Sequence, residues 1–305
     1  MKILLTGSTG FLGSHIADKL IQRGCQVLAL KRSGSSLLNC KDISSKVVWC
    51  DCDNDDWLSK AILWSPDVII HSAWAGVDAA NRDNWDVQLS NIDFTCDLLQ
   101  VAMKSSVKKF IALGSQAEYG EFANCINEEY PLNPVQKYAI AKVFVFQMVK
   151  ALCQLNDIDW YWVRIFATFG ERESNRWLIP SLISKMRSGE ISIDLTKCEQ
   201  KYAYLYVGDL AKALVSILDT KGKCGAYNLS AKKALSLRYV ITYIRDRIKP
   251  DFQLNFGRLP YRKGQAMCIH AETDKFVQAF GEYEMETFES AIDKMIYTNT
   301  DSSLQ

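Results

Sequence analysis

Two rhythms of apolar positions alternate along this chain, and the alternation predicts its fold. Residues 2–6, Lys-Ile-Leu-Leu-Thr, form a short apolar run stopped by a glycine, as expected of a strand buried on both faces. The period then changes. Phe11, Leu12, Ile16, Leu20 and Ile21 share one face of a helix over 11–22, and Gly24 ends it. Further strands are predicted at 26–30, 47–50, 67–71, 109–113 and 158–165, with long helices over 81–105 and 134–155. Strands alternating with helices predict an α/β fold, a Rossmann-type doubly wound parallel sheet. Right-handed crossovers put the strand C-termini on one edge. Gly7, Asp51, Ser72 and Ser115 each follow a predicted strand, so they converge on the crevice where such sheets bind ligands.

After Phe166 the rhythm breaks. Residues 170–189 and 238–289 are less regular and more charged. The expected organisation is a dinucleotide-binding domain over 1–166, to which 203–230 returns through a helix (205–218) and a strand (226–229). Residues 167–202 and 231–305 are expected to form a smaller C-terminal α/β substrate lobe covering the crevice, with a frayed end at 299–305.

Composition agrees with an ordinary soluble globular protein and narrows the chemistry. The 305 residues are 48% hydrophobic and 23% charged, enough for a large core. With 36 basic and 35 acidic residues there is no cationic excess for a nucleic acid polymer. No apolar run looks long enough to span a membrane, and the N-terminus reads as a buried strand rather than a signal peptide. The ten cysteines are scattered, only Cys50 and Cys52 being close, and His15, His71 and His270 do not cluster with them. Free thiols in a cytoplasmic protein without a metal site are therefore expected.

The candidate chemistry begins with Gly7-x-x-Gly10-x-x-Gly13 between a predicted strand and a predicted helix. Glycines there permit a tight turn and let amides approach a pyrophosphate at a helix N-terminus. The second strand ends in Lys31-Arg32 rather than in an acid. Two cations suit the 2′-phosphate of NADPH, unless they are merely exposed loop residues. Asp51 is placed to accept from the adenine amino group, with Cys52 contributing backbone only. Tyr138 and Lys142 lie four apart on one predicted helix, so they share a face. A neighbouring ammonium favours the phenolate of a tyrosine. Ser115, at a strand end, can polarise a substrate carbonyl. Together these residues describe a site that interconverts a ketone and an alcohol. A catalytically silent dinucleotide sensor would not need all three of Ser115, Tyr138 and Lys142.

The chain resembles the extended short-chain dehydrogenase/reductases of the nucleotide-sugar epimerase/dehydratase group. The likeness rests on residues 7–13, Asp51, His71-Ser72-Ala73, Asn91, 114–120 (Gly-Ser-Gln-Ala-Glu-Tyr-Gly), Tyr138 with Lys142, Arg164-Ile165-Phe166, 204–209 and Tyr227-Asn228-Leu229. It implies Ser115, Tyr138 and Lys142 as catalytic residues, with Lys142 also on the cofactor ribose. It implies a dinucleotide held by Gly7, Thr9, Gly10, Phe11, Leu12, Gly13, Lys31, Arg32, Asp51, Cys52, Ser72, Ala73, Tyr138 and Lys142. Gln116, Arg176, Lys201 and Arg262 are the implied substrate contacts. Arg262 matches the family position for the diphosphate, a surface ion pair being its alternative.

Dehydratases of this family carry an Asp-Glu pair directly after the catalytic hydroxyl, whereas Gln116-Ala117 stand here. The chain looks more like the 4-keto reductases that finish deoxyhexoses for surface polysaccharides such as O-antigen. The implied reaction is NADPH-dependent reduction of the C4 ketone of a nucleotide-diphospho-4-keto-6-deoxy sugar. NAD-dependent 4-epimerisation is the alternative. Trp74, Ala167, Tyr202, Ala203 and Gly208 depart from the family pattern and bear on substrate identity. The resemblance also implies a homodimer packed through the two long helices, with Phe94, Leu98, Val143, Phe146 and Val149 contributing, burial inside the monomer being the alternative.

Overall fold

A computed structural model describes residues 1–298 apart from Ser106 and Lys263, so the expected fraying of 299–305 lies outside the described residues. A seven-stranded, all-parallel sheet forms the centre. Its strands are β1 (Lys2–Thr6), β2 (Gln26–Lys31), β3 (Val48–Asp51), β4 (Val68–His71), β5 (Lys109–Ser115), β6 (Asp159–Ile165) and β11 (Gly225–Leu229). Their spatial order is β11-β6-β5-β4-β1-β2-β3. The order reverses between β1 and β4, which opens a crevice at their C-terminal ends. Side chains alternate across the sheet. Leu4 enters one apolar layer while Ile3 and Leu5 enter the other, and Trp160 and Trp162 oppose Tyr161 and Val163 in the same way. Burial on both faces explains why these strands read as continuous apolar runs.

Helices cover both faces. The layer containing Leu4 is closed by α2 (Trp57–Trp64), α3 (Trp85–Lys104) and α4 (Lys137–Leu155). The other is closed by α1 (Phe11–Gln22) and α6 (Val207–Ser216). A third apolar cluster, centred on Ile179, Leu182, Val240, Ile241, Phe252 and Ile292, belongs to the smaller lobe. Here α5 (Leu178–Arg187), α7 (Leu237–Ile248) and α9 (Phe288–Thr298) pack together. Around them lie three short sheets: β7 (Thr168–Phe169) with β10 (Leu205–Tyr206), β8 (Ser192–Asp194) with β13 (Gln253–Asn255), and β9 (Lys201–Tyr202) between β12 (Leu235–Ser236) and β14 (Cys268–Ile269). α8 (Asp274–Phe280) lies in the stretch assigned from sequence to this lobe. Its Phe276 and Phe280 pack instead against Tyr227 and Tyr161 of the main sheet.

Two sequence expectations need correction. α4 is long and apolar enough, by length and composition, to cross a membrane, with a mean hydropathy of 1.3. It is a core helix: Val145, Phe146, Val149 and Cys153 are buried against the sheet layer, and a lysine is buried on the same side. Leu98, Phe146 and Val149, expected at a dimer contact, therefore face inwards. The outer sides of α3 and α4 expose Leu89, Ile140 and Phe144 instead. An all-round apolar helix gives no phase, so periodicity could not say which stripe faces the sheet.

The turn from β1 into α1 is closely packed on its own backbone. A Cβ on Gly13 would lie 2.0 Å from the Gly7 carbonyl oxygen. Backbone, not a movable side chain, would have to give way. Gly13→Ala should therefore destabilise the protein by about 1–3 kcal/mol, read as a lowered urea midpoint. Gly34→Ala, with open space around the added methyl, should leave the midpoint within about 0.5 kcal/mol of the parent.

Candidate active site

The glycine turn presents a backbone cradle to the crevice. Gly7 takes φ +72°, and a Cβ there would sit 2.8 Å from the Ala73 nitrogen. The turn closes through Gly10 N–H to Gly7 O at 2.9 Å. Helix α1 starts with Gly10 as its cap, no side chain capping its first amides and no acid in its first turn. Its positive end is thus open to an anion. Ser8 Oγ, fully buried under the turn, has no hydrogen-bond partner among the described residues. These features fit a dinucleotide pyrophosphate held by Gly7, Thr9, Gly10, Phe11, Leu12 and Gly13. Ser72 and Ala73 form the facing wall, but their amides donate to Thr6 Oγ1 at 3.1 and 3.0 Å. Thr6 Oγ1 therefore gives its own hydrogen to His71 Nδ1 at 2.9 Å, which assigns the His71 proton to Nε2, facing Thr95 Oγ1 at 3.1 Å. Burial, helped by the charge of Lys142, pushes His71 down to about 3, so the ring is neutral.

The adenosine end differs from expectation. Lys31 is ion-paired with Asp51, so neither group is free as the sequence suggested. The cause is strand register: β2 and β3 place Lys31 directly beside Asp51. The Cys52 amide is likewise engaged, donating to Lys31 O at 2.7 Å. Ser33 donates its amide and hydroxyl to Asp53, at 2.9 and 2.7 Å, which holds that carboxyl below its usual range. Arg32 remains exposed.

Ser115 ends β5 and starts a single turn of 3-10 helix, Gln116–Tyr119. Ser-x-x-Glu is a capping-box sequence, and the box forms. Ala117 N–H donates to Ser115 Oγ at 3.2 Å, and Ser115 N–H donates to Glu118 Oε1 at 2.7 Å. Glu118 is fully buried. It also accepts from Trp162 Nε1, at 3.0 and 3.1 Å, and from Arg164 Nε at 2.7 Å. Arg164 passes the network to Tyr119 OH at 2.9 Å, and Tyr119 donates to Asn228 Oδ1 at 2.7 Å. Gly114 is required here, because a Cβ would lie 2.2 Å from Trp162 Nε1. The sequence showed Glu118, Tyr119, Arg164 and Asn228 as motif members but gave no sign of Trp162; only the fold shows that these residues lock the serine in place.

Tyr138 and Lys142 are both buried on the inward face of α4. Burial raises the Tyr138 phenol above its ordinary range, and a hydrogen bond with Ser115 and the nearby Arg82 pull it back. Lys142 donates to Leu113 O at 2.6 Å and lies 3.7 Å from the centre of the Trp74 ring. Burial pulls this ammonium down to about 7, against the attraction of Glu118. The expectation that Lys142 supplies the cation beside the phenol is thus corrected: Arg82 stacks on the Tyr138 ring, 4.7 Å from its centre. Trp74 meets that ring edge-on at 6.2 Å, and its indole N–H is fixed by Gln88 Oε1 at 2.9 Å. Arg82 had no signal in the sequence; it arrives through Tyr138 N–H donating to Arg82 O at 3.0 Å.

Of the expected substrate residues, Gln116 sits in the turn after Ser115, half-buried. Arg176 faces the loop that carries Trp74 and Arg82. There Asp78, held low by hydrogen bonds from Asn81 and Ala80, also feels the charge of Arg176. Lys201 and Arg262 lie exposed on the smaller lobe. That lobe is tied to α1 by Arg172–Asp18 at 2.7 Å and by His15 Nε2 against Glu171 O at 3.0 Å.

Comparison with known proteins agrees with this architecture. Residues 3–230 match the profile of the NAD dependent epimerase/dehydratase family. A Methanocaldococcus jannaschii protein provisionally named a UDP-glucose 4-epimerase is 28% identical, over 81% of this chain and 82% of its own. The CDP-abequose synthase of Salmonella muenchen is 25% identical, over 97% of both chains. Among solved structures, a UDP-N-acetylglucosamine 4-epimerase from Methanobrevibacter ruminantium, in complex with UDP-N-acetylmuramic acid, superposes with a TM-score of 0.88. It is 23% identical, over 99% of this chain and 98% of its own.

Two stability measurements test this electrostatic picture. Glu118→Gln leaves Arg164 buried without its carboxylate and should cost about 3–5 kcal/mol at neutral pH, measured by urea unfolding; a loss under about 1 kcal/mol would contradict the network. Lys142 has a folded pKa below its unfolded value, so its burial penalty is complete below about pH 7 and fades towards the unfolded value near 10.5. Lys142→Met should therefore stabilise the fold more at about pH 6 than at about pH 9. An equal gain at both would mean that the lysine does not titrate between them.

Proposed function

The chain belongs to the NAD-dependent epimerase/dehydratase family, and within it we propose that this protein is a reductase: with NADPH it reduces the C4 ketone of a nucleotide-diphospho-4-keto-6-deoxy sugar. The observation that carries this reading is the side-chain set at the reacting centre. Ser115 and Tyr138 bring two hydroxyls together, while Glu118, the one acid of the adjoining turn, is locked under Trp162 and Arg164. A proton donor for an alkoxide is at hand, but an acid–base pair for removing water is not. The end-to-end likeness to a CDP-abequose synthase supports the same choice. So does Trp74, held rigidly beside Tyr138. Epimerisation requires the keto sugar to turn its opposite face to the same donor, and the indole narrows the space for that rotation.

When bound, the reduced nicotinamide supplies the hydride. The chain does the rest. Ser115 donates a hydrogen bond to the C4 oxygen and holds it as negative charge develops. The Tyr138 O–H bond breaks, its proton passes to the C4 oxygen, and a phenolate remains to be reprotonated from solvent. Lys142, beside Tyr138 on α4, is the group we assign to the cofactor ribose. Arg176 and Arg262 are assigned to the substrate diphosphate.

One observation favours the second reading, 4-epimerisation with NAD. Asp51 and Asp53 engage Lys31 and Ser33 where a 2′-phosphate would be held. Under the reductase reading Arg32 makes that contact.

The deciding assay follows loss of reduced-nicotinamide absorbance with NADPH or NADH across a panel of nucleotide-linked 4-keto-6-deoxy sugars. NADPH should be consumed with at least one sugar. Tyr138→Phe should slow the rate about 10²–10⁴-fold, and Arg32→Glu should erase the preference for NADPH over NADH. No consumption with any sugar, together with NAD retained on the purified protein, would replace the reductase by the epimerase.

A further inference from the structure

The loop between β4 and α3 is unusually well fastened for an active-site loop. Asn91 accepts from the Ala75 amide at 2.8 Å and donates to the Ala75 carbonyl at 3.1 Å. Buried Gln88 donates to the carbonyls of Gly76 and Asn81. Gly76 adopts φ +71° and has no room for a Cβ, which would lie 2.7 Å from Val87 Cγ1. Asp78 folds back on Ala80 and Asn81. At the far end, Asp83 accepts from the Lys137 amide at 3.0 Å. These contacts carry Arg82 onto Tyr138 and hold it there.

Arg82 is in an uncommon state. Its guanidinium lies 4.7 Å from the centre of the Tyr138 ring, yet its Nε is buried without a hydrogen-bond partner among the described residues. A buried guanidinium N–H left unpaired is costly unless another state of the site provides an acceptor. Tyr138 acquires an extra negative charge whenever it releases its proton.

We propose that Arg82 is a positioning residue of this site, its guanidinium stabilising the Tyr138 phenolate that proton transfer leaves behind. The groups facing the phenol are few. Ser115 from β5 hydrogen-bonds it, Glu118 from the following turn opposes its ionisation, and Arg82 favours it. Trp74 presents an uncharged edge. Lys142, on the same helix, directs its ammonium to Leu113 O and the Trp74 ring. Arg82 is therefore the full positive charge set directly against the tyrosine. An opposite charge at such range favours the ionised form of its neighbour by about tenfold or more.

This inference deepens the role of Tyr138 as proton donor and rests on that reading, but its test needs no substrate. Tyr138 is replaced by 3,5-difluorotyrosine, whose phenol ionises near neutral pH, and fluorine NMR follows its titration in the full-length protein. Arg82→Met keeps the apolar stem and removes the charge. The ratio of ionised to neutral phenol at a given pH should fall about tenfold, and Arg82→Lys should recover part of that loss. An unchanged ratio in Arg82→Met, or an equal loss in Arg82→Lys, would overturn the proposal, since a purely structural role distinguishes neither charge nor its rescue. A shifted titration in a protein that oxidises no NADPH would leave Arg82 in place and remove only the reductase reading. An active reductase with an unshifted titration would do the reverse.

Discussion

The buried Glu118 carboxylate is the constraint around which the candidate-site end of the sheet is arranged. An unpaired carboxylate with no solvent exposure would be prohibitively unstable. Here its oxygens are met by a backbone amide, an indole and a guanidinium. Each donor fixes something else. The amide belongs to Ser115, so the serine cannot drift. The indole and guanidinium belong to Trp162 and Arg164, two apart on β6, so both lie on one face of the strand beside β5. The crossing of the indole to Glu118 demands a residue without a side chain at Gly114. Such a pair adds little net stability, because desolvation offsets attraction; its contribution is geometric.

The same network sets the chemistry by exclusion. A carboxylate beside a serine proposed to act on substrate would ordinarily be a candidate base. Glu118 is not, since its lone pairs are occupied by the Ser115 amide, the Trp162 indole and the Arg164 guanidinium. What remains at the candidate site is a phenol, a hydroxyl and two basic side chains in a poorly solvated space. Low effective dielectric strengthens each of these interactions. It also penalises both cations, and the structure answers each differently. Lys142 is met by a carbonyl and an aromatic face, whereas Arg82 keeps a buried N–H without an acceptor among the described residues.

The nucleotide end follows another logic. There the groups proposed to hold the cofactor are backbone amides at the start of α1, and side chains serve mainly to shape the turn. Lys31 and Asp51 neutralise each other because neighbouring strands place them side by side. A local reading of Lys31-Arg32 as a cationic pair therefore overstates the charge offered to a ligand. Arg32 lies past the paired stretch of β2 and escapes that neutralisation.

Much of this protein was legible in the sequence. Element order, the position of the glycine turn, the placing of Ser115 at a strand end and of Tyr138 and Lys142 on one helix face follow from local periodicity and from the rule that parallel strands end on one edge. These are short-range properties, and the first strand and first helix fell where the pattern placed them. The small lobe was less readable because its helices are short and charged on their outer faces. What only the tertiary structure decided are contacts between segments far apart in the chain: the pairing of Lys31 with Asp51, the stacking of Trp74 on Lys142, the arrival of Arg82 at Tyr138 and the choice of buried stripe on α4. Periodicity specifies which positions share a face; it does not specify what that face meets. That depends on register and packing, which are settled only when the whole sheet and its covering helices close together.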